Sequence, residues 1–262
     1  MLSYDFMLRA FAASGIVAVV AGTVGYFLVL RGQTFADHAL SHIGFTGATG
    51  AALIGVSPLG GLIAFVVAAG VAMGLLGEKL SNRDVVIGIV LALSLGFGLL
   101  FLSLTTSHAT AATTLLFGNV LAVTPAMIAT LAALGGLTLV ALAIISRPLT
   151  FASLQPELAE ARGVSIRLVG TLFLALVALA TAQSIQIVGV LLVFTLMVGP
   201  AAAAQLLTRR LGAGVALSAL LALAQAWAGI VIAYYTDWPT SFWITVLAAV
   251  VYSGAALAAR RP

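Results

Sequence analysis

The chain has 262 residues, of which 63% are hydrophobic and only 7% charged, and its mean hydropathy is +1.23. A water-soluble domain carries about a quarter charged residues, so a soluble fold is excluded and an all-α polytopic membrane protein is expected. There is no cysteine, which excludes disulfides and thiolate metal sites, and the net charge of +4 is scattered over loops rather than gathered into a nucleic-acid-binding patch.

Apolar runs between charged, Pro, Gly or Asn punctuation predict about nine transmembrane helices, within a range of eight to ten, near 7–30, 37–56, 58–77, 85–104, 124–146, 166–183, 185–207, 212–235 and 241–259. They form one transmembrane domain over 1–262. The first run starts near Phe6 and continues to Leu30, too long for the apolar core of a cleavable signal. Alternating nine helices puts Arg31, Lys79, Arg83, Arg147, Arg162, Arg167, Arg209, Arg210, Arg260 and Arg261 on one face, with Arg9 alone on the other. By the positive-inside rule that face is cytoplasmic, the amino terminus external and the carboxyl terminus internal, as in a bacterial inner-membrane protein. Segment 105–123 is read as external or partly re-entrant; were it to span, the parity upstream of it would invert.

The second predicted helix opens with TFADHALSHIGFTG, residues 34–47, which holds two of the chain's three histidines. Positions i and i+4 share a helix face with β-carbons about 5–6 Å apart, so His38 and His42 can point at a common ion. Imidazole nitrogen suits Zn²⁺, Cu²⁺, Ni²⁺ and Fe²⁺ better than Mg²⁺ or Ca²⁺. The competing reading makes His38 a solvated interfacial residue and gives His42 a backbone carbonyl as partner. Polar groups inside spans are rare, and the pairing favours metal contact. These helix limits put His38 near the cytoplasmic end of its span. Gly44, Gly47 and Gly50, among alanines, read chiefly as close-packing positions.

Within 146–170, SLQPELAEARGVS reads as a short capped helix, with Ser153 as N-cap, Pro156 and Glu157 in the first turn and Gly163 as the stop. It has few apolar anchors for lipid and suits docking into a groove on a soluble partner. Further on, Gly199-Pro200 lies inside the seventh predicted helix and reads either as a hinge or as a static kink. Asp237, in the turn before the last helix, reads either as that helix's N-cap or as a metal ligand. His108 reads as a solvated loop residue or as an acceptance point for incoming metal.

Five stretches, FADHALSH, LLFGNVLAVT, QPELAEARGV, GVLLVFTLMVGPAAAA and YYTDWPTSFWI, come in an order and spacing that resembles the metal-uptake permeases of ABC transporters, the manganese/zinc/iron family. The resemblance runs from about Leu28 to about Ala248. It implies a permease working as a dimer with a second permease copy in membrane lipid, with a cytoplasmic ATP-binding subunit below and an extracytoplasmic metal-binding protein above. In that frame Glu157, Glu160, Arg162 and Gly163, within a coupling segment of about 151–165, match the ATPase-docking motif, and Asp237 matches a word tied to metal admission or gating. The chain holds no G-x-x-x-x-G-K-[ST] loop, so ATP is expected on the partner and the transported zinc or other divalent metal is substrate rather than resident cofactor.

The chain also departs from the family. The carboxylate usually found four residues before the family's histidine is His38 here, and Asp37 one position earlier is turned about 100° away. The acids that often flank the second word are replaced by Ala111 and Asn119. A site rich in nitrogen and poor in carboxylate argues for zinc over manganese. Two rivals stand beside this reading: a permease for a metal chelate such as haem, cobalamin or a siderophore, and a self-sufficient ion-coupled carrier or channel.

Overall fold

The computed structural model describes residues 4–76, 83–104, 116, 118, 120–190 and 192–259. In chain order these form α1 (Asp5–Leu30), α2 (Thr34–Leu53), α3 (Pro58–Leu76), α4 (Arg83–Ser103), a 3₁₀ turn at Val120–Ala122, α5 (Pro125–Leu154), α6 (Pro156–Ala161), α7 (Ile166–Val188), α8 (Val193–Leu207), α9 (Leu211–Thr236) and α10 (Thr240–Ala259). No strand occurs among the described residues. Each of the nine predicted helices has a counterpart, and the tenth is the short α6. Seven are long and apolar enough to cross a membrane, α1, α3, α4, α5, α7, α9 and α10. The other two are α2, which carries Asp37, His38 and His42, and α8, which has only 15 residues.

Glycines set how closely the helices approach. A β-carbon on Gly70 of α3 would lie 2.7 Å from the Leu174 carbonyl oxygen of α7, and one on Gly22 of α1 2.7 Å from the Ser218 carbonyl oxygen of α9. On Gly25 it would collide with the Met197 carbonyl of α8. Polar ties reinforce these seams. The Ser218 hydroxyl donates to Gly22 O at 2.6 Å, the Gln205 amide to Tyr26 O at 2.9 Å, and Trp227 Nε1 to Phe11 O at 3.0 Å. Of the seven long spans, α1 and α7 are the most enclosed by others, while α4 and α10 turn most of their surface outward.

The same contacts fix direction. Gly44 meets Val66 and Gly47 meets Gly61, so α2 and α3 are antiparallel; Gly88 lies by Phe35 and Gly98 by Phe45, so α4 runs parallel to α2. Arg31, at the end of α1, donates from Nη1 to Ser153 Oγ at 3.0 Å, and Arg167 donates from Nε to Leu75 O at 3.1 Å. One end of the bundle therefore gathers Arg31, Leu75, Ser153, Arg167 and the short α6. The opposite end gathers Met7, Leu121, Tyr234 and Asp237. Both flanks of segment 105–123, Leu104 and Thr124, lie at that opposite end; most of the segment is outside the described residues.

Three expected boundaries change. The fifth helix does not stop at 146 but continues through Arg147 and Pro148 to Leu154. Proline deprives the carbonyl one turn back, that of Ile144, of its partner, and the hydroxyls of Ser146, Thr150 and Ser153 donate to Ala143 O, Ser146 O and Leu149 O on the neighbouring turns. Ser153 is thus inside α5 and is not the N-cap of the short helix. That place belongs to Gln155, which has non-helical φ −141° and ψ +69° before Pro156 and makes no side-chain cap. Gly163 does terminate α6, with φ +81°, its N–H bonded to Glu160 O and that of Val164 to Ala159 O, the two bonds of a Schellman stop.

The break expected near residue 184 falls instead at Gly189, whose φ is +79°. Ser184, the residue between the two predicted helices, is buried within α7 together with Gln183. The third change is depth. The α1–α2 corner folds back into the bundle, with Gln33 buried, so α2 starts well inside it. Asp37 lies level with Thr181, about 22 Å along the α7 axis from Ile166. The neighbouring His38 therefore sits in the middle of the bundle, not near the end of a span.

Gly25→Ala is expected to lower stability by about 1–3 kcal/mol through overpacking of α1 against α8. Gly136→Ala, where an added β-carbon meets nothing within 4 Å, should leave it unchanged or slightly higher. Thermal unfolding of the two variants in detergent separates these outcomes.

Candidate metal-transit site

The opening turns of α2 present two chemically different faces to their neighbours. On one, the His38 and His42 rings meet edge to face with centroids 4.9 Å apart, as the four-residue spacing requires. Phe194, in the first turn of α8, stands against His38 at 5.8 Å between centroids, and Phe35 lies at 6.5 Å. His42 is 8% exposed, and its Nδ1 has no hydrogen-bond partner. The carbonyl partner that would have made His42 a packing residue is thus missing at that nitrogen.

On the other face, Asp37 is fully buried against α7. Its Oδ1 accepts the Thr181 hydroxyl at 2.7 Å and its Oδ2 has no hydrogen-bond partner. Thr181 also reaches Val177 O at 2.8 Å and stands 3.9 Å from Met197 Sδ of α8. Farther along α2, Thr46 donates to Ser94 O of α4, and Thr49 to Phe45 O at 2.9 Å. Among the described residues no three His, Asp or Glu side chains gather around a single point that could hold an ion. The imidazole pair therefore offers two nitrogen donors, and an ion there completes its shell with water or other groups.

The remaining candidates lie apart. Asp237 is exposed at the end opposite α6, in the turn between α9 and α10. It closes α9 rather than capping α10: its φ is +56°, the single left-handed non-glycine among the described residues, and its N–H donates to Ala233 O at 3.0 Å. It lines a cleft of about 800 Å³ with Phe6, Met7, Gly118, Tyr234 and Trp238. Glu157, Glu160, Arg162 and Gly163 are exposed on and just after α6. Pro200 is buried within an unbroken α8, where Gly199 lets Ala248 of α10 come close enough that a β-carbon would sit 3.1 Å from its own. His108, Ala111 and Asn119 lie outside the described residues.

Thr181 and Phe194 were not singled out in the sequence, and Asp37 was set aside as pointing away. The signal for Thr181 was present: TAQSIQ, residues 181–186, is a polar run inside an apolar span, where each polar group needs a partner or a role.

A family-wide sequence model, described as the ABC 3 transport family, matches residues 3–259. The chain belongs to this family. It is accordingly a multi-pass permease subunit and not an enzyme, ATP hydrolysis being the work of a separate subunit. Among similar proteins is the manganese transport system membrane protein MntC of Halalkalibacterium halodurans, 28% identical over 97% of this chain and 87% of its own. The manganese import system permease protein ScaB of Streptococcus gordonii is 29% identical over 88% and 83%. The solved structure of PsaBC from Streptococcus pneumoniae in complex with Fab superposes with a TM-score of 0.86 at 26% identity, covering 96% of this chain and 91% of that one. An inward-facing putative metal-chelate type ABC transporter shares the fold, with a TM-score of 0.76 at 16% identity, 96% of this chain and 85% of that one covered.

The left-handed turn at Asp237 separates backbone from side-chain roles. Asp237→Asn should keep stability within about 0.5 kcal/mol because asparagine tolerates this conformation, whereas Asp237→Val should lower it by about 1–2 kcal/mol. Chemical denaturation of purified protein reads both.

Proposed function

We propose that this ABC 3 permease carries a divalent first-row metal ion into the cell, with manganese the favoured cargo. The observation that carries the reading is the paired imidazoles of His38 and His42 in mid-bundle, beside the only buried acid among the described residues, Asp37. Manganese is favoured because the relatives above are named as manganese permeases, and because the helix that carries the imidazole pair also carries a buried carboxylate, Asp37, on its α7 side. One observation favours zinc as a second cargo: His38 supplies nitrogen where the family usually has an acid. A chelate such as haem would leave a closely spaced imidazole pair, suited to a single ion, without a purpose.

In this reading the whole chain, 1–262, acts as one permease domain of a bacterial inner membrane, amino terminus outside and carboxyl terminus inside. It pairs with a second permease copy in the lipid. An extracytoplasmic metal-binding protein delivers cargo at the Asp237 end, with His108 as a further acceptance point. A cytoplasmic ATP-binding subunit docks on Glu157, Glu160, Arg162 and Gly163. Pro156 starts that docking helix and the Gly163 stop ends it, so it behaves as a short rigid lever directly after α5. Gly199 and Pro200, where α8 lies against α10, provide a place for the access change to bend.

The chain, expressed with its ATP-binding subunit and binding protein, should drive ATP-dependent uptake of radiolabelled manganese into vesicles. His38→Ala and His42→Ala should each reduce uptake at least tenfold while ATP hydrolysis is retained. Undiminished uptake in both variants overturns the assignment of the site, and uptake by the chain alone without ATP overturns the transport class.

A further inference from the structure

The two faces of α2 do not converge on one ion. Asp37 lies about 100° around the helix axis from His38 and about 140° from His42, so its carboxylate is held on the α7 side while the rings face each other and Phe194. Yet Asp37 is fully buried, one of its two oxygens has no hydrogen-bond partner, and among the described residues no Lys or Arg is paired with it. Asp37 stands in the first turn of α2, but none of its oxygens accepts a backbone N–H, so capping does not explain it. A carboxylate taken out of water into a membrane bundle without a counter-ion is among the costlier arrangements a fold can keep, and such residues mark ion pathways.

We propose that Asp37 and Thr181 form a second station for the permeating cation, separate from the imidazole pair and on the opposite side of α2. The inference rests on the reading of the chain as a divalent-metal permease and says where the ion goes within it. Oδ2 offers an unoccupied lone-pair site. The Thr181 hydroxyl has one hydrogen and two acceptors in reach, Asp37 Oδ1 at 2.7 Å and Val177 O at 2.8 Å. When a cation arrives at the carboxylate, the hydroxyl turns its hydrogen to Val177 O and presents a lone pair to the ion, with no proton lost. Carboxylate and hydroxyl oxygens suit Mn²⁺, whereas the imidazole pair also suits Zn²⁺. The two stations therefore differ in the metal they hold best. An ion bound to both in turn gives up one set of ligands as it gains the other, which keeps either from becoming a trap.

The test uses the full-length chain in nanodiscs, titrated separately with Mn²⁺ and Zn²⁺, and the complete transporter in vesicles. Asp37→Asn preserves shape and the hydrogen bond from Thr181. It should weaken Mn²⁺ binding at least tenfold and Zn²⁺ binding less than threefold, and lower the maximal rate of Mn²⁺ uptake at least tenfold. Thr181→Val should weaken Mn²⁺ binding about threefold, with Thr181→Ser restoring it, which covers the case in which Asp37→Asn does not fold. In the His38→Ala/His42→Ala double variant, Mn²⁺ that remains bound should show no nitrogen modulation in its electron spin echo, because oxygen donors hold it. If Asp37→Asn and Thr181→Val bind and transport both metals as the wild type does, the second station is overturned, whatever the histidine variants show. If the histidine variants alone transport normally, the imidazole assignment falls and the Asp37 station stands.

Discussion

Lipid gives apolar side chains no reason to prefer one another, so this bundle is held by what hydrocarbon cannot supply: close backbone approach and hydrogen bonds. The glycines of α1 and α3 bring main chains into contact at seams where a single added methyl would clash. Donors on α8 and α9 reach carbonyls of α1 at three points along its length. With α1 fixed in this way, the α1–α2 corner is forced inward, Arg31 is brought to the end of α5, and α2 begins in mid-bundle rather than at a surface.

The same constraint makes each buried polar group informative. A soluble protein satisfies stray groups with water at its surface; a membrane bundle must do so internally or keep them for a function. Most of the threonines and serines here meet the requirement locally by donating to the carbonyl one turn back, as Thr23, Thr138 and Ser184 do. Asp37, His42 and Gln225 do not, each retaining a buried polar atom without a partner. Asp37 and His42 belong to one helix and face different neighbours. Polar burial on α2 thus exceeds what holding the helix in place requires.

Class, helix number and the short helix after Pro156 were legible because each rests on a strong local signal: hydropathy over about 20 residues, or a proline and a glycine seven residues apart. The histidine pair was legible from helical spacing. Three features were not, and each for a tertiary reason. Ser184 fell at the predicted break between two spans because polarity interrupts an apolar run, but here it marks an interior face. Ser153 read as a cap because a serine three residues before a proline fits that pattern, but α5 runs on through Pro148 to Leu154 and takes Ser153 into its last turn. The side on which Asp37 finds its partner depends on α7, 144 residues later in the chain, and no local periodicity encodes it.

The placement of the polar groups also bears on energetics. A membrane potential favours inward movement by about 2.3 kcal/mol per charge for each 100 mV, so about twice that for a divalent ion. At about 1.4 kcal/mol per decade, this would sustain roughly a thousandfold accumulation. It would not release an ion from a nanomolar binding protein, where about 12 kcal/mol holds the ligand. The difference must be met by a change in protein shape driven by ATP, which calls for a mechanical link between the cytoplasmic end and mid-bundle. The bond from Arg31 to Ser153 joins the last turn before α6 to the corner from which α2 departs, and Asp37 and His38 follow within two turns of that corner. A displacement of the short helix is therefore felt first at the root of the helix that carries both kinds of ligand. Ligands placed at the far end of α2 would not respond in this way.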